Sequence, residues 1–515
     1  MNINFGNENI LNAEKIHGPL FAEISSLRYD SRRVENNAAF FCMQGEQQDG
    51  HLFIEEAIKK GASAIIGSNE SKLSRLAAAY PDRTFVIVRD ARTALAHFSI
   101  LFYQHAYKKL TTIGVTGTNG KTTVVAYTYS LLNQMGVATG SIGTIGTMTS
   151  EGPIPFQPTT PTTPEAPELH YIFEQFSMRK EQAAAMEVSS IAIEQKRVEG
   201  MMFQIGVHTN ISSEHLEFHK TFENYKKAKL KLFKQAEKAV VNLDDKGMAD
   251  DILDMYQGPL LTYSINGHPD ADVFACNIST KKEESTFLLT INGKSSLVQT
   301  PLIGGYNISN LLAAVCTAIH VGVPYQKILE AMPTINGPKG RFQLVETPIQ
   351  ATILLDYAHT PEALRNLVNE VKKLAFRRFI LMVTGVGIRD ENKMPKMGEA
   401  ADGQADKYVI SVDHPGYKEP EEIVANVLSG FSETEQTHIT YTYSREEGII
   451  AALNLAEEGD LIILTGGCIN GCQMIRGEAI PHSDENIIKQ YFSKSTAITK
   501  RAIGSTAKNP PVNFS

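Results

Sequence analysis

The stretch Gly114-Val115-Thr116-Gly117-Thr118-Asn119-Gly120-Lys121-Thr122-Thr123 decides how this chain is read. It ends an apolar run from Thr111 to Thr116 that reads as a strand, and it opens a segment from Thr122 to Met135 that reads as a helix. Glycines let backbone N–H groups close on phosphate oxygens, and the helix N-terminus adds positive potential at the same spot. In that geometry Lys121 reaches the β- and γ-phosphates and the Thr122 hydroxyl binds Mg²⁺. The strict pattern asks for Gly five residues before Gly120, where Val115 stands, so a Gly-rich turn without a ligand is the alternative. The strand before and the helix after favour a nucleotide.

Outward from this loop, short β-branched runs alternate with helical stretches. Further strands are expected at Ala184–Val188, Gln204–His208, Ala239–Asn242, Thr352–Leu355, Phe379–Thr384, Tyr408–Ser411 and Leu461–Leu464. Runs apolar on both faces and separated by helices imply a mainly parallel sheet, so the fold class is α/β. A chain of 515 residues exceeds one hydrophobic core. One seam falls near 105–110, and another in Ile335-Asn336-Gly337-Pro338-Lys339-Gly340, whose Gly/Pro content suits a hinge. Domains are therefore expected at 1–107, 108–336 and 337–495, followed by a loose polar tail at 496–515.

The balance of 49 basic and 57 acidic residues, a net charge of −8, offers no basic footprint for nucleic acid or an anionic membrane. No apolar run is long enough to span a bilayer, and no signal-peptide pattern opens the chain, so a cytoplasmic location is expected. Five cysteines are too few for a disulfide framework. Cys468 and Cys472 could suggest a metal pair, but with no second Cys/His pair nearby packing is the better reading. Oligomeric state is not written in the residues; a monomer is the default expectation.

Several residues carry chemistry on their own terms. Glu187 ends a buried strand, where a carboxylate is unusual unless paired or metal-bound; a solvated strand end is the alternative. His215 alone would be an ordinary satisfied histidine, but near Glu187 and Thr122 it becomes a candidate Mg²⁺ ligand. Lys229 lies on a helical segment with Phe222, Tyr225, Ala228 and Leu232 expected on its apolar side, while Lys226, Lys227 and Lys231 suit a solvated face to which Lys229 could also belong.

Taken in order, these motifs resemble the Mur ligase family, and within it the MurE type, which adds the third residue of the peptidoglycan stem to UDP-N-acetylmuramoyl-L-alanyl-D-glutamate. Thr116 to Thr123 is similar to the family's phosphate loop, and Leu27-Arg28-Tyr29-Asp30-Ser31-Arg32-Arg33-Val34 to its uridine-binding region. Thr162-Thr163-Pro164-Glu165, Met186-Glu187-Val188-Ser189-Ser190 with Gln195 and Arg197, and Thr209-Asn210 with Glu214-His215 follow. Asn307, Asn310, Gly340-Arg341-Phe342 and Asp356-Tyr357-Ala358-His359-Thr360-Pro361 complete the series.

The resemblance implies a three-domain architecture: an N-terminal UDP-binding domain, a central P-loop ATPase domain with a parallel sheet, and a C-terminal Rossmann-like domain. It implies ATP as cosubstrate and Mg²⁺ as cofactor, with a UDP-muramoyl peptide and an amino acid as partners. ATP would be held by Gly117, Thr118, Asn119, Gly120, Lys121, Thr122, Thr123, Asn307, Arg341 and Asp356. Catalysis would fall to Lys121, Glu187, His215 and Lys229, the last at the family's carbamylated lysine, where with Thr122, Glu187 and His215 it would hold metal. Ser31, Thr162, Thr163, Ser189, Gln195 and Arg197 would contact the UDP-sugar peptide. Arg389, Asp413 and His414 would bind the incoming amino acid. Thr360 and Pro361 also make a good helix start, so that motif has a structural task besides.

The chain departs from the family where the amino acid binds. Diaminopimelate-adding enzymes carry Asp-Asn-Pro-Arg, here Asp413-His414-Pro415-Gly416, and Gly-Lys-Gly-His-Glu, here Gly466-Gly467-Cys468-Ile469-Asn470. The family's Gly-Asp-Arg-Asp becomes Gly387-Ile388-Arg389-Asp390, which loses the first Asp, and Ile191 replaces the His that usually follows the two serines. The expected acceptor is therefore an amino acid other than diaminopimelate. A related ligase acting on another carboxylate, or a degenerate nucleotide-binding paralogue, are the competing readings.

Overall fold

Where the apolar runs lie, the computed structural model has strands. It describes all residues except 8–10, 46–47, 157, 282–283, 346, 389–390, 433–437, 468–470 and 506–515, with backbone alone at 495–505. The chain forms two units: Met1–Asn277 with Phe287–Thr300 and Ile308–Asn336, and Ile278–Thr286 with Pro301–Asn307 and Gly337–Ser515.

The first unit contains two sheets with separate cores. A five-stranded sheet runs in the order Lys15–His17, Thr84–Ile87, Ala64–Gly67, Ala38–Phe41, Ser26–Arg28, parallel except at its first strand. Both faces are covered, by one cluster around Phe41, Val86 and Phe98 and another around Phe40, Ile65 and Phe85. Burial on both faces explains why Ala38–Phe41 and Ala64–Gly67 carry no polar alternation.

The larger sheet has eleven strands. Its centre is parallel: Thr139–Gly143, Ala183–Glu187, Thr111–Thr116, Phe203–His208, Ala236–Asn242 and Leu260–Ser264 lie side by side in that order. The expected strands agree with these bounds to within a few residues, and the helix after the loop is Lys121–Gln134. Gly146–Thr149 and Gly152–Pro153 extend one edge antiparallel, and Val273–Thr280, Ser285–Ile291 and Lys294–Thr300 extend the other. These edges escaped the sequence reading because their half-exposed alternation carries no long apolar run.

In the second unit a six-stranded sheet runs Gln343–Val345, Thr352–Asp356, Leu461–Thr465, Phe379–Val386, Lys407–Asp413, Ile439–Tyr441, parallel except at the first strand. Helices Pro361–Val371, Lys393–Ala401 and Pro420–Leu428 contribute to the core on one face, and Arg445–Leu455 with Ile488 and Phe492 of the last helix to the core on the other. That last helix, Asp484–Ser505, crosses residue 496, where a tail was expected. Ile488 and Phe492, one turn apart, anchor it.

Candidate active site

Three strands of the large sheet end together. Thr111–Thr116 is central; Glu187 lies opposite Val115 on one neighbour, and His208 opposite Thr116 on the other. Chain connections leave this point in opposite directions, the place where open α/β sheets bind ligands.

The phosphate loop is moulded by the segment that follows Phe203–His208. Thr118 N donates to Asn210 O at 2.8 Å, Asn119 N to Asn210 Oδ1 at 2.9 Å, and Thr209 Oγ1 to Asn119 O at 2.6 Å. A Cβ on Gly117, where φ is +155°, would stand 1.9 Å from Thr209 Oγ1, so glycine is needed for this close approach. Lys121 Nζ donates to the carbonyls of Gly117 and Thr118, both at 2.9 Å, and Gly120 caps the helix that Lys121, Thr122 and Thr123 begin.

Glu187 is only 1 % exposed, which removes the solvated-strand-end alternative. Its Oε2 accepts from Thr122 Oγ1 at 3.0 Å and its Oε1 from the Thr144 amide at 2.7 Å. A buried carboxylate and a hydroxyl at the mouth of a phosphate loop are hard oxygen donors, the set that suits Mg²⁺. His215 is less committed: its side chain is 32 % exposed and Nδ1 lies 3.4 Å from Glu217 Oε1. Among the described residues no group of three or more His, Cys, Asp or Glu is gathered to hold a metal ion.

Lys229 overturns the solvated-face alternative. It is 1 % exposed, its Nζ donates to Gly117 O at 2.7 Å and it stands 4.5 Å over the Tyr225 ring. Burial, reinforced by the like charge of Lys121 and opposed by Glu214, drives its ammonium well below the usual lysine range. Tyr225, one turn earlier, places its hydroxyl 3.0 Å from Thr118 Oγ1. The four-residue spacing of Tyr225 and Lys229 is the sequence signal that would have paired them.

Thr162, Thr163, Ser189, Gln195 and Arg197, expected on the UDP-peptide side, gather near the same strand end, and Ser31 lies apart from them. Thr163 Oγ1 donates to Glu187 O at 3.0 Å and accepts from Ser189 N at 3.1 Å, while Ser189 caps the next helix through Ala192 N. Thr162 Oγ1 is 3.1 Å from Thr144 Oγ1. Arg197 donates to Thr163 O at 2.8 Å and to Gln195 Oε1 at 2.6 Å, and its Nε lies 2.9 Å from Glu165 Oε1. Ser31 is buried and donates to Glu56 at 2.9 Å, beside a cavity of about 510 Å³ whose walls include Arg28, Tyr29, Arg33, Tyr103 and Tyr171.

The second unit holds the remaining candidates. Both Asp356 oxygens accept backbone N–H groups, from Phe342 and Ala358, each at 2.8 Å; burial raises its carboxyl against the pull of Arg341. Arg341 stacks 4.6 Å over the Tyr357 ring, and Asn307, buried in this unit, donates to Ile303 O at 2.8 Å. Asp413 accepts from Gly467 N at 2.9 Å and Gln473 Nε2 at 3.2 Å. His414 Nδ1 accepts from Met474 N at 3.0 Å. Gly416 bridges Ile475 of the hairpin Cys472–Ile475/Glu478–Pro481, with φ +64° and a would-be Cβ 2.7 Å from Ile388 Cγ2. Arg389, Cys468 and Asn470 lie outside the described residues. Sequence reasoning missed Arg445, a buried guanidinium paired twice with Asp484, at 2.8 and 2.6 Å, and donating to Thr465 O at 3.0 Å.

A phosphate loop at a switch point, with a buried hydroxyl–carboxylate pair and a buried lysine beneath it, defines a nucleotide-dependent enzyme of the α/β class. The sequence matches the Mur ligase middle domain over residues 115–318, the Mur ligase glutamate ligase domain over 340–468, and the Mur ligase family catalytic domain over 23–103. It is 36 % identical over 482 residues to the UDP-N-acetylmuramoyl-L-alanyl-D-glutamate–2,6-diaminopimelate ligase of Caldanaerobacter subterraneus subsp. tengcongensis, covering 93 % of this chain and 97 % of the relative. The enzyme of the same name from Bacteroides thetaiotaomicron is 34 % identical, covering 93 % and 97 %. A solved structure of such a ligase superposes with a TM-score of 0.64 at 28 % identity, covering 92 % of this chain and 95 % of that one. The fold is shared with MurF ligase from Thermotoga maritima in complex with ADP, at a TM-score of 0.59 and 17 % identity, covering 92 % and 98 %. The chain belongs to the Mur ligase family, whose members are ATP-dependent enzymes that form amide bonds. Among the described residues no helix is long and apolar enough to cross a membrane.

Proposed function

We propose that this chain joins an amino acid to a carboxylate of the glutamyl residue of UDP-N-acetylmuramoyl-L-alanyl-D-glutamate, with ATP as the source of driving force. The observation that carries the reading is the hydrogen bond from Thr163 Oγ1 to Glu187 O. It ties the peptide-side residues to the same strand end as the phosphate-side residues, so a carboxylate and a triphosphate would meet there. A carboxylate resists attack by an amine until one oxygen becomes a leaving group. Transfer of the γ-phosphoryl group makes an acyl phosphate; the amine then adds to its carbonyl carbon and phosphate departs. Lys121 and the loop amides would balance charge on the transferring group, and Arg197, Thr163 and Ser189 would orient the carboxylate.

Thr122 and Glu187 are the donors we assign to Mg²⁺, which would neutralise charge on the β- and γ-phosphates. Lys229 is buried where an ammonium is disfavoured, and a neutral amine is the form that can take up CO₂ as a carbamate. Arg341, Asp356 and Asn307 are assigned to the nucleotide, although hydrogen bonds already commit Asp356 to holding its own loop. Asp413 and His414, with Arg389, are assigned to the acceptor. The domain bounds 1–107, 108–336 and 337–495 belong to the same proposal.

For the acceptor we propose an amino acid other than diaminopimelate. Gly416 stands where diaminopimelate enzymes place Arg, and its left-handed backbone and contact with Ile388 disfavour any side chain there. The names of the relatives favour diaminopimelate, and this is the second reading. The test is purified protein with UDP-muramoyl dipeptide, ATP and a panel of amino acids, the product identified by mass. Lys121→Ala is the control and should abolish turnover; absence of any peptide product from the parent protein refutes the proposed substrate.

A further inference from the structure

Arg92 is the second residue of the helix Ala91–Phe102, and no role has been given to it above. Its Nη1 is buried, and among the described residues it has no hydrogen-bond partner. Its surroundings are rich in ionised groups. Glu165, 7 % exposed, pairs with Arg197 Nε at 2.9 Å, and both oxygens of Glu168 accept from Thr159 N at 3.2 Å. Burial raises the Glu165 carboxyl, while Arg197 and then Arg92 act against that rise. Burial lowers Arg197 too; Glu165 opposes this, and the like charge of Arg92 adds to it. Arg92 therefore stands close enough to feel both members of the pair.

A buried guanidinium N–H that donates to nothing costs free energy, and native structures retain few of them. Arg92 also meets Arg197 as a like charge and Glu165 as an opposite one, so its charge is shared within a group that already pairs Glu165 with Arg197. Packing does not explain the unpaired Nη1, since an apolar side chain of similar length would fill the space without burying a donor. An anion does explain it. Two neighbouring guanidiniums, one with an unpaired N–H, suit a group with several acceptor oxygens.

We propose that Arg92 is a substrate-binding residue which, with Arg197, takes an anionic group of the nucleotide-linked peptide substrate. Anionic groups of two kinds exist on that substrate, the two carboxylates of its glutamyl residue and the diphosphate. This inference rests on the substrate reading given above.

The test compares the parent protein with Arg92→Met and Arg92→Lys. Arg92→Met should raise KM for UDP-muramoyl dipeptide by about 10- to 100-fold, the loss of one charged hydrogen bond or two. KM for ATP should stay within about twofold, and Arg92→Lys should recover only part of the affinity. Inhibition by UDP separates the two sources: weakened UDP binding in Arg92→Met points to the diphosphate, and unchanged UDP binding to the carboxylate. Thermal unfolding adds a readout that a structural role would lower. Arg92→Met should melt close to the parent, because loss of the attraction to Glu165 is set against removal of an unsatisfied donor and of the repulsion from Arg197. An unchanged KM for UDP-muramoyl dipeptide, an equal rise in KM for ATP, or a clearly lower melting temperature overturns the proposal. A parent protein that does not turn over UDP-muramoyl dipeptide at all would instead refute the substrate reading, and this inference with it.

Discussion

Lys229 Nζ lies 2.7 Å from the carbonyl oxygen of Gly117, so a helix of the large domain core reaches the phosphate loop through one buried amine. The contact has two sides. It fixes the first glycine of the loop, and it holds a lysine where its charge is disfavoured by burial and by Lys121.

The first prediction follows from that pair. Lys229→Ala should be nearly inactive, and Lys229→Arg should not restore activity, because a guanidinium cannot become a neutral amine or a carbamate. The stability sign is also set. With its folded pKa lowered, the unfolded chain binds the extra proton between that value and the ordinary lysine range, so the lysine's contribution becomes more favourable as pH rises. In CO₂-free buffer Lys229→Met should therefore gain thermal stability over the parent near neutral pH, and the gap should narrow toward pH 10. An active Lys229→Arg protein would sink the assignment.

Glu187→Gln keeps shape and removes one charge. Because the amide oxygen can still accept from Thr144 N and the amide NH2 can donate to the Thr122 hydroxyl, the fold should survive. Turnover should fall by about 10²-fold or more, and the Mg²⁺ concentration for half-maximal rate should rise. An Mg²⁺ titration with an unchanged midpoint would make Glu187 structural.

The second unit has its own acid sensitivity. Burial would raise the Asp484 carboxyl, but Arg445 and His482 outweigh it and hold it well below the usual carboxylate range; burial opposes, and Arg445 and His414 lower, Asp413 in the same way. Groups with depressed folded pKa contribute stability that is complete above the unfolded value near 4 and lost as pH falls through the folded one. Asp484→Asn should cost about 3–5 kcal/mol at pH 7, since it leaves a buried guanidinium half-paired. It should also flatten the fall in stability below about pH 4, as read by denaturant titration at several pH values. A parent-like acid profile would show that the pair is not what acid breaks.

Legibility from sequence divided along physical lines. The loop, its strand and its helix were readable because Gly117, Gly120 and Lys121 each answer a local demand of backbone and charge. Glu187 was readable as a carboxylate ending an apolar strand. The Asn210 mould, the Thr144 amide and the Arg445–Asp484 pair were not, since each depends on segments brought together only by the tertiary fold. Lys229 was ambiguous for the opposite reason: three neighbouring lysines made its helix look solvated, and only packing showed that its own face is buried.

Acceptor choice gives the last prediction. Diaminopimelate brings a second carboxylate and a second amine, and both need partners in a closed site. With Gly416 for Arg and Asn470 for Glu, two partners are absent, and discrimination of ~10²–10⁴ against it is expected. Competition between amino acids at equal concentration, read by product mass, decides; preference for diaminopimelate would show the pocket has been misread.

The bridge between Gly416 and Ile475 makes that choice a collective property. Gly416 N donates to Met474 O at 3.0 Å, Arg476 N donates back to Gly416 O at 2.6 Å, and His414 and Asp413 take hydrogen bonds from Met474 and Gln473. Loop and hairpin are thus stitched into one piece. Gly416→Arg would have to place its Cβ on a left-handed backbone and displace the Ile388 side chain, so it would strain the loop that these hydrogen bonds hold. On the proposed assignment of Asp413 and His414 to the acceptor, a change of acceptor would call for coordinated replacements in both segments, and transplanting the loop and hairpin as a block is the shorter route to redesigning it.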